Sequence, residues 1–312
     1  MRAGAARIVV ALVVSCVAVV ATPPVAVNAQ PVGYLPAPDV AENDHPKPYT
    51  DGCHLGDGGT VPIACTYARA SGKRTLAVFG DSHAAEWFGA LLPNATARGW
   101  RLLSITKTHC PADDVAVARY LTTQRYVECP TWRRRVFAQI AKGTWGHIDV
   151  LVLGSWQFHT IFTKATGPAI LAPDRIAAWE AGERRTLRVL SAHVGRIVVL
   201  RDTPDMPVTK PAFNSCMRVH FANANVCGST WKKTMSDALW KAQQRAGEGL
   251  PNVTYANLST ALCPELRCPT VLYGLRIYKD DNHLTQYFMR RIMAPRLRAL
   301  LDREMQRAVA SH

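Results

Sequence analysis

The sequence predicts a single α/β domain, a mostly parallel five-stranded sheet covered by helices on both faces. Apolar runs of strand length alternate with amphipathic helical stretches from Leu76 onward. The first run, Leu76 to Phe79, passes through a sharp turn, Gly80-Asp81-Ser82, into a helix with Phe88, Leu91, Leu92 and Ala95 on one face. The stretch from Asp51 to the end, about 260 residues, is a size one α/β domain reaches. No internal repeat or second boundary interrupts it.

Taken in order, residues 1–29 read as a secretory signal: Arg2 and Arg7, the apolar run Ile8 to Ala21, then small residues ending at Val27-Asn28-Ala29. Cleavage after Ala29 is expected, with an uncleaved membrane anchor as the alternative, because the run is short for a bilayer span. Val13-Val14-Ser15-Cys16 resembles a lipoprotein box but has too little apolar sequence before it. Residues 30–50, rich in proline and polar side chains, read as an extended linker. Residues 51–75 read as a Gly-rich stapled loop, opening a domain that covers 51–312. The later strands are Arg101 to Thr106, Ile148 to Leu153, Arg196 to Leu200 and Val253 to Ala256. Helices are expected from Thr131 to Lys142, from Asp174 as N-cap to about His193, and along Met235, Leu239, Ala242 and Ala246. Residues 201–231 read as an irregular insertion. The last helix begins near Thr285 and is kinked by Pro295.

Nine cysteines and the signal point to an oxidising, extracytoplasmic space, secreted or within the cell envelope. Apart from Cys16 they fall into four neighbouring couples: Cys53 and Cys65, Cys110 and Cys129, Cys216 and Cys227, Cys263 and Cys268. Sequence leaves their connectivity open. No CxxC pair or His-rich tract points to a metal. The formal charge of +14 reads first as a soluble, like-charged surface, and second as attraction to anionic envelope polymers or acidic substrates. The basic residues are dispersed, and the longest run, Arg133-Arg134-Arg135, shares a helix with Trp132, Val136 and Ile140, so nucleic acid is not the expected partner.

A serine at the carboxyl end of a strand needs a base, and the base needs an orienting acid. His45 and His54 lie in linker or loop, and His147 precedes a strand; His109 follows the second strand beside Cys110, where it can rim the same sheet edge but lacks an adjacent carboxylate. His283 stands apart, in Tyr278-Lys-Asp-Asp-Asn-His-Leu-Thr285. Asp280 is three residues earlier, so one turn can bring its carboxylate to Nδ1 and leave the other nitrogen facing a nucleophile. The competing reading is an acidic loop capping the final helix.

Gly80-Asp81-Ser82-His83 together with Asp280-x-x-His283-Leu284 resembles the SGNH (GDSL-like) hydrolase superfamily. The run Leu103 to Pro111 and the Tyr-x-Asp-Asp-x-His-Leu ending are closer still to the SGNH domain associated with membrane acyltransferase-3 proteins. The resemblance implies a flavodoxin-like three-layer α/β/α sandwich, with Ser82 as nucleophile, His283 as base and Asp280 as its orienter. It also exposes two departures. The usual Gly-x-Asn-Asp block is Gly154-Ser155-Trp156-Gln157, placing Trp156 where an oxyanion-donating Asn is expected. The glycine of the loop after strand two has no counterpart between Ser104 and Asp114. The backbone N–H of Ser82 remains a donor, with Gly154, Trp156 and Gln157 the candidates around it. Asp81 reads as holding the turn, Gly80 as giving it backbone freedom, and His83 as a substrate-rim or packing residue. Trp87 and Trp156 are candidate walls.

The expectation is therefore a secreted serine esterase or O-acyltransferase acting on O-acyl groups of cell-envelope glycans, without a cofactor, with a separate membrane acyltransferase as acyl donor. The alternative is a catalytically degenerate, glycan-binding or accessory module. A classical α/β-hydrolase is the third reading, since Gly80-x-Ser82-x-Ala84 nearly fits the nucleophile elbow. The serine after the first strand and the Asp three residues before the His argue against it.

Overall fold

The computed structural model describes residues 33–162 and 174–310. The expected signal segment and Cys16 lie outside the described residues. The main sheet has seven strands: β1 (His54–Leu55), β2 (Cys65–Ala68), β3 (Thr75–Gly80), β4 (Arg101–Lys107), β5 (Val150–Gly154), β6 (Arg196–Leu200) and β7 (Val253–Ala256). The last five are the expected strands. They run parallel in the order β4-β3-β5-β6-β7, which is the 2-1-3-4-5 order of a flavodoxin-like sheet. The two short strands were not expected. β1 adds parallel and β2 antiparallel to the free edge of β4. Both are only partly buried and carry no apolar run, so their sequence looks like the stapled loop it also is, closed by Cys53–Cys65.

Alternate strand residues supply two cores. Leu76, Val78, Val152 and Val198 pack under the helix Phe88–Arg98 and the terminal helix, with Phe88, Leu91, Leu297 and Leu301. Ala77, Phe79, Leu151 and Val199 face the helices Glu128–Ala141, Asp174–Ser191 and Asp237–Ala246, with Trp132, Trp179 and Leu239. The central strands β3, β5 and β6 are buried on both sides, so each is a nearly continuous apolar run, whereas β7 is half-buried. Three layers result.

Four details differ from expectation. From Gly33 to Thr50 the chain is packed rather than extended: Pro38–Glu42 and Lys47–Thr50 are helical turns, the Tyr34 hydroxyl donates to the Met217 carbonyl at 2.9 Å, and Asp44 accepts from the Tyr287 N–H. Proline in a first helical turn and proline in a linker look alike in composition. Residues 201–231 contain a helix, Lys210–Val219, and a 3₁₀ segment, Phe221–Cys227, tied together by Cys216–Cys227. Arg133 points inward, away from the solvated face, and donates to the carbonyls of Pro111 and Val115 at 3.0 and 2.8 Å. Before Pro295, a π-helical stretch, Met289–Met293, supplies a wider turn where an α-turn would meet the proline ring. The other disulfides join Cys110 to Cys129 and Cys263 to Cys268, so all four neighbouring couples are bonded. Among the described residues no helix is long and apolar enough to cross a membrane.

Candidate functional site

The site lies beyond the carboxyl ends of β3 and β5, where the strand order changes direction, the crevice in which open α/β sheets hold ligands. Gly80 and Gly154 face each other across the paired strands. Gly80 has φ +146°, and a Cβ there would lie 2.0 Å from the Gly154 carbonyl oxygen. A Cβ on Gly154 would lie 2.9 Å from the Ala84 Cα. Both positions need hydrogen in place of a side chain so that the turn can sit down on the sheet. Asp81 then caps the helix Ser82–Glu86, its Oδ1 accepting the His83 N–H at 2.9 Å. Its Oδ2 accepts the Trp156 N–H at 2.9 Å and His159 Nε2 at 2.8 Å. Burial opposes ionisation of Asp81, but these donors hold its carboxyl down to about 2. The helix is five residues long and breaks at Trp87 before the next begins at Phe88.

On the opposite wall, Asp280 holds His283 at three points. The imidazole Nδ1 is 3.0 and 3.1 Å from the two carboxylate oxygens, and the His283 N–H donates to Oδ1 at 2.8 Å. Burial works against the Asp280 charge, yet His283 and Lys279 keep its carboxyl far below the usual range. Burial lowers the His283 pKa, against the pull of Asp280. Its Nε2 is buried and, among the described residues, has no hydrogen-bond partner. Ser82 and His283 line one cavity of about 130 Å³, together with His83, His109, Trp156 and Asp280. Ser82 Oγ makes no hydrogen bond to His283 in this state, a looseness common in unliganded sites. A larger trough of about 580 Å³ adjoins it, sharing His109, Tyr120 and Trp156.

The remaining expected residues divide. Trp156 lines the cavity, but its indole N–H donates to Asp205 Oδ2 at 3.0 Å and is not free to meet an oxyanion. Gln157 is turned away and buried: its amide bridges the Thr203 and Thr234 carbonyls and the Ser236 N–H. Gly154 serves close packing. Trp87 is sealed in the core and forms no wall. His83 is 2% exposed, and its Nδ1 lies 2.7 Å from Asp202 Oδ1.

Three contributors, Tyr49, His159 and Asp202, were missed, while His109 was expected at this sheet edge without a role in the chemistry. His109 takes the left-handed conformation, φ +50°, in the loop after β4, where the family's glycine has no counterpart. The only signal was its neighbour Cys110, tied to Cys129. Tyr49, from the supposed linker, stacks flat on His54 at 4.0 Å. Burial, with Asp81 and Asp280 nearby, pushes its phenol up, and the Ser82 hydroxyl acts in the opposite sense. His159 and Asp202 meet the turn across 78 and 119 residues of chain. His83, Glu86 and Asp202 place possible ligand atoms within 4.8 Å of one another. Those atoms already hydrogen-bond to each other's neighbours, Thr203, Leu284 and Gln157, which suits an internal network better than an open coordination site.

Residues 43–297 match the family described as "SGNH domain (fused to AT3 domains)", and the chain belongs to it. No curated protein matches the sequence. Among solved structures it is similar to the periplasmic domain of a Salmonella ser. Paratyphi A lipopolysaccharide acetyltransferase, at 16% identity and a TM-score of 0.48, over 70% of this chain and 80% of that one.

Proposed function

We propose that this protein is an extracytoplasmic serine esterase or O-acyltransferase that works on O-acyl groups of cell-envelope glycans. The observation that carries the reading is the Asp280–His283 pair, its Nε2 unpartnered, in the cavity that Ser82 also lines. In this mechanism Ser82 Oγ attacks an ester carbonyl while His283 Nε2 takes its proton. Asp280 fixes the Nδ1–H tautomer and stabilises the imidazolium that forms. The proton then leaves with the alcohol. A second alcohol, or water, repeats the cycle on the acyl-Ser82. Ser82 and His109 line the cavity, and their backbone N–H groups find no acceptor among the described residues; in this reading they serve the developing oxyanion. The adjoining trough, with Tyr120 and Phe158 on its walls, takes the body of the substrate. Four disulfides agree with an oxidising compartment, and a membrane acyltransferase is the fitting acyl donor.

Turnover of 4-nitrophenyl acetate by the purified protein, and its loss in Ser82→Ala, tests the chemistry. Acyl-release analysis of envelope glycans from cells carrying Ser82→Ala tests the substrate. The alternative, a degenerate binding module, draws on the engaged indole of Trp156; it predicts no turnover and an unchanged acyl pattern.

A further inference from the structure

The geometry points to His83 as the side-chain donor that stabilises the anionic tetrahedral oxygen, a place left open by Trp156. The inference rests on the serine chemistry proposed above.

Three features of the fold converge on this ring. Its Nδ1 is fixed against Asp202 Oδ1 at 2.7 Å. Asp202 is itself immobilised by the N–H groups of Gln157 and Thr203, at 2.7 and 2.8 Å. The Asp202 carboxylate takes the Nδ1–H, so Nε2 carries a hydrogen when the ring is the imidazolium, the form its carboxylate neighbours favour. Among the described residues that nitrogen has no hydrogen-bond partner, and His83 lines the cavity. The ring lies between the other cavity walls, 5.0 Å from His283 and 6.2 Å from Trp156, centre to centre. It thus borders the reacting serine as its next residue and meets the base across the cavity. Burial disfavours a charged ring here, but Asp202, Glu86 and Asp81 together raise its pKa to about 10. A donor clamped before the substrate arrives needs no reorganisation as charge develops.

The electron and proton balance is simple. As Ser82 Oγ bonds to the carbonyl carbon, its proton passes to His283 Nε2 and the carbonyl electron pair moves onto oxygen. That oxygen accepts from His83 Nε2–H, beside the Ser82 and His109 N–H groups. On collapse the pair re-forms the carbonyl, and the departing alkoxide takes the proton from His283. His83 keeps its own proton throughout.

The test compares wild type, His83→Gln, which keeps an N–H donor without charge, and His83→Phe. Substrates are 4-nitrophenyl acetate and, as a mimic of the tetrahedral anion, phenylboronic acid. We expect kcat to fall about 100-fold in His83→Phe, KM to change little, the boronate Ki to rise in parallel, and His83→Gln to recover part of both. The acid limb of kcat/KM should also move to higher pH, because His283 no longer titrates beside a fixed cation, while Asp280 and Lys279 still face it. Should His83→Phe fail to fold, His83→Gln carries the comparison. The inference is overturned if both variants stay within threefold of wild type. It is equally overturned if kcat falls while the boronate Ki and the acid limb stay in place, which is the mark of a packing role. A wild-type protein that neither turns over the ester nor binds the boronate overturns the Ser82 reading instead, before any variant is compared.

Discussion

The carboxylate of Glu86 accepts the backbone N–H of Leu284 at 2.9 Å. Glu86 is four residues beyond Ser82, and Leu284 directly follows His283, so one buried hydrogen bond joins the two halves of the site across 198 residues of chain. Gln286 reinforces it by donating to the Glu86 carbonyl at 2.9 Å, and the Thr203 hydroxyl donates to the other carboxylate oxygen at 2.8 Å. Removing the carboxylate in Glu86→Ala leaves the buried Leu284 N–H without a partner. The expected cost is about 1–3 kcal/mol of stability, with a larger fall in kcat than change in KM as His283 loses its register. Denaturant midpoints and steady-state kinetics on 4-nitrophenyl acetate measure the two effects separately.

Glu86 and His83 also set how stability depends on pH. Burial pushes the Glu86 carboxyl up to about 8, and the His83 imidazole is held up to about 10 despite its burial. Both groups keep their protons longer in the folded state than in the unfolded one. Their contribution is therefore complete below the unfolded values and lost as pH rises through the folded ones. Urea midpoints should decline between about pH 4.5 and 10, through the Glu86 window first and the His83 window from about 6.5. Glu86→Gln should flatten the lower part of that decline, up to about pH 8.

The Asp280–His283 pair predicts a pH–rate profile and a mutational signature. Burial lowers the pKa of His283 below its ordinary 6.5. As the base acts only when unprotonated, kcat/KM should rise with pH through an inflection below that value and then level off. Asp280→Asn keeps the shape but loses the charge and the tautomer control. It should lower kcat about 10³- to 10⁴-fold while the protein remains folded by circular dichroism.

Gly80→Ala tests the seat of the turn. Backbone at φ +146° is costly for an alanine, and its Cβ would meet the Gly154 carbonyl at 2.0 Å. A loss of at least about 1–3 kcal/mol is expected. Activity should fall with it, because the displaced turn carries Ser82. Thermal melts with parallel ester assays decide whether the two losses go together.

Much of this architecture could be read from local sequence. Arg196–Leu200 occurs where its apolar run begins and ends, because a strand buried on both faces writes its position plainly. Gly80-Asp81-Ser82 and Asp280-x-x-His283 stood out because each contains a local contact, Asp81 with the His83 N–H and Asp280 with His283. What sequence left hidden depends on distant chain. The edge strands β1 and β2 are set by β4. Asp202 and His159 reach the turn from other strand ends, and Asp205 takes up the Trp156 indole across 49 residues. Tyr49 was lost in a proline-rich composition that a linker shares, and the role of His109 in a left-handed backbone that no residue preference announced.

The central claim is that Ser82, His283 and Asp280 form a working acyl-transfer site. A fluorophosphonate probe followed by peptide mass spectrometry tests it most directly. The label should fall on Ser82 of the wild-type protein, at least about 100-fold faster than in His283→Ala. A wild-type protein that remains unlabelled at Ser82, or a His283→Ala variant labelled at the same rate, contradicts it.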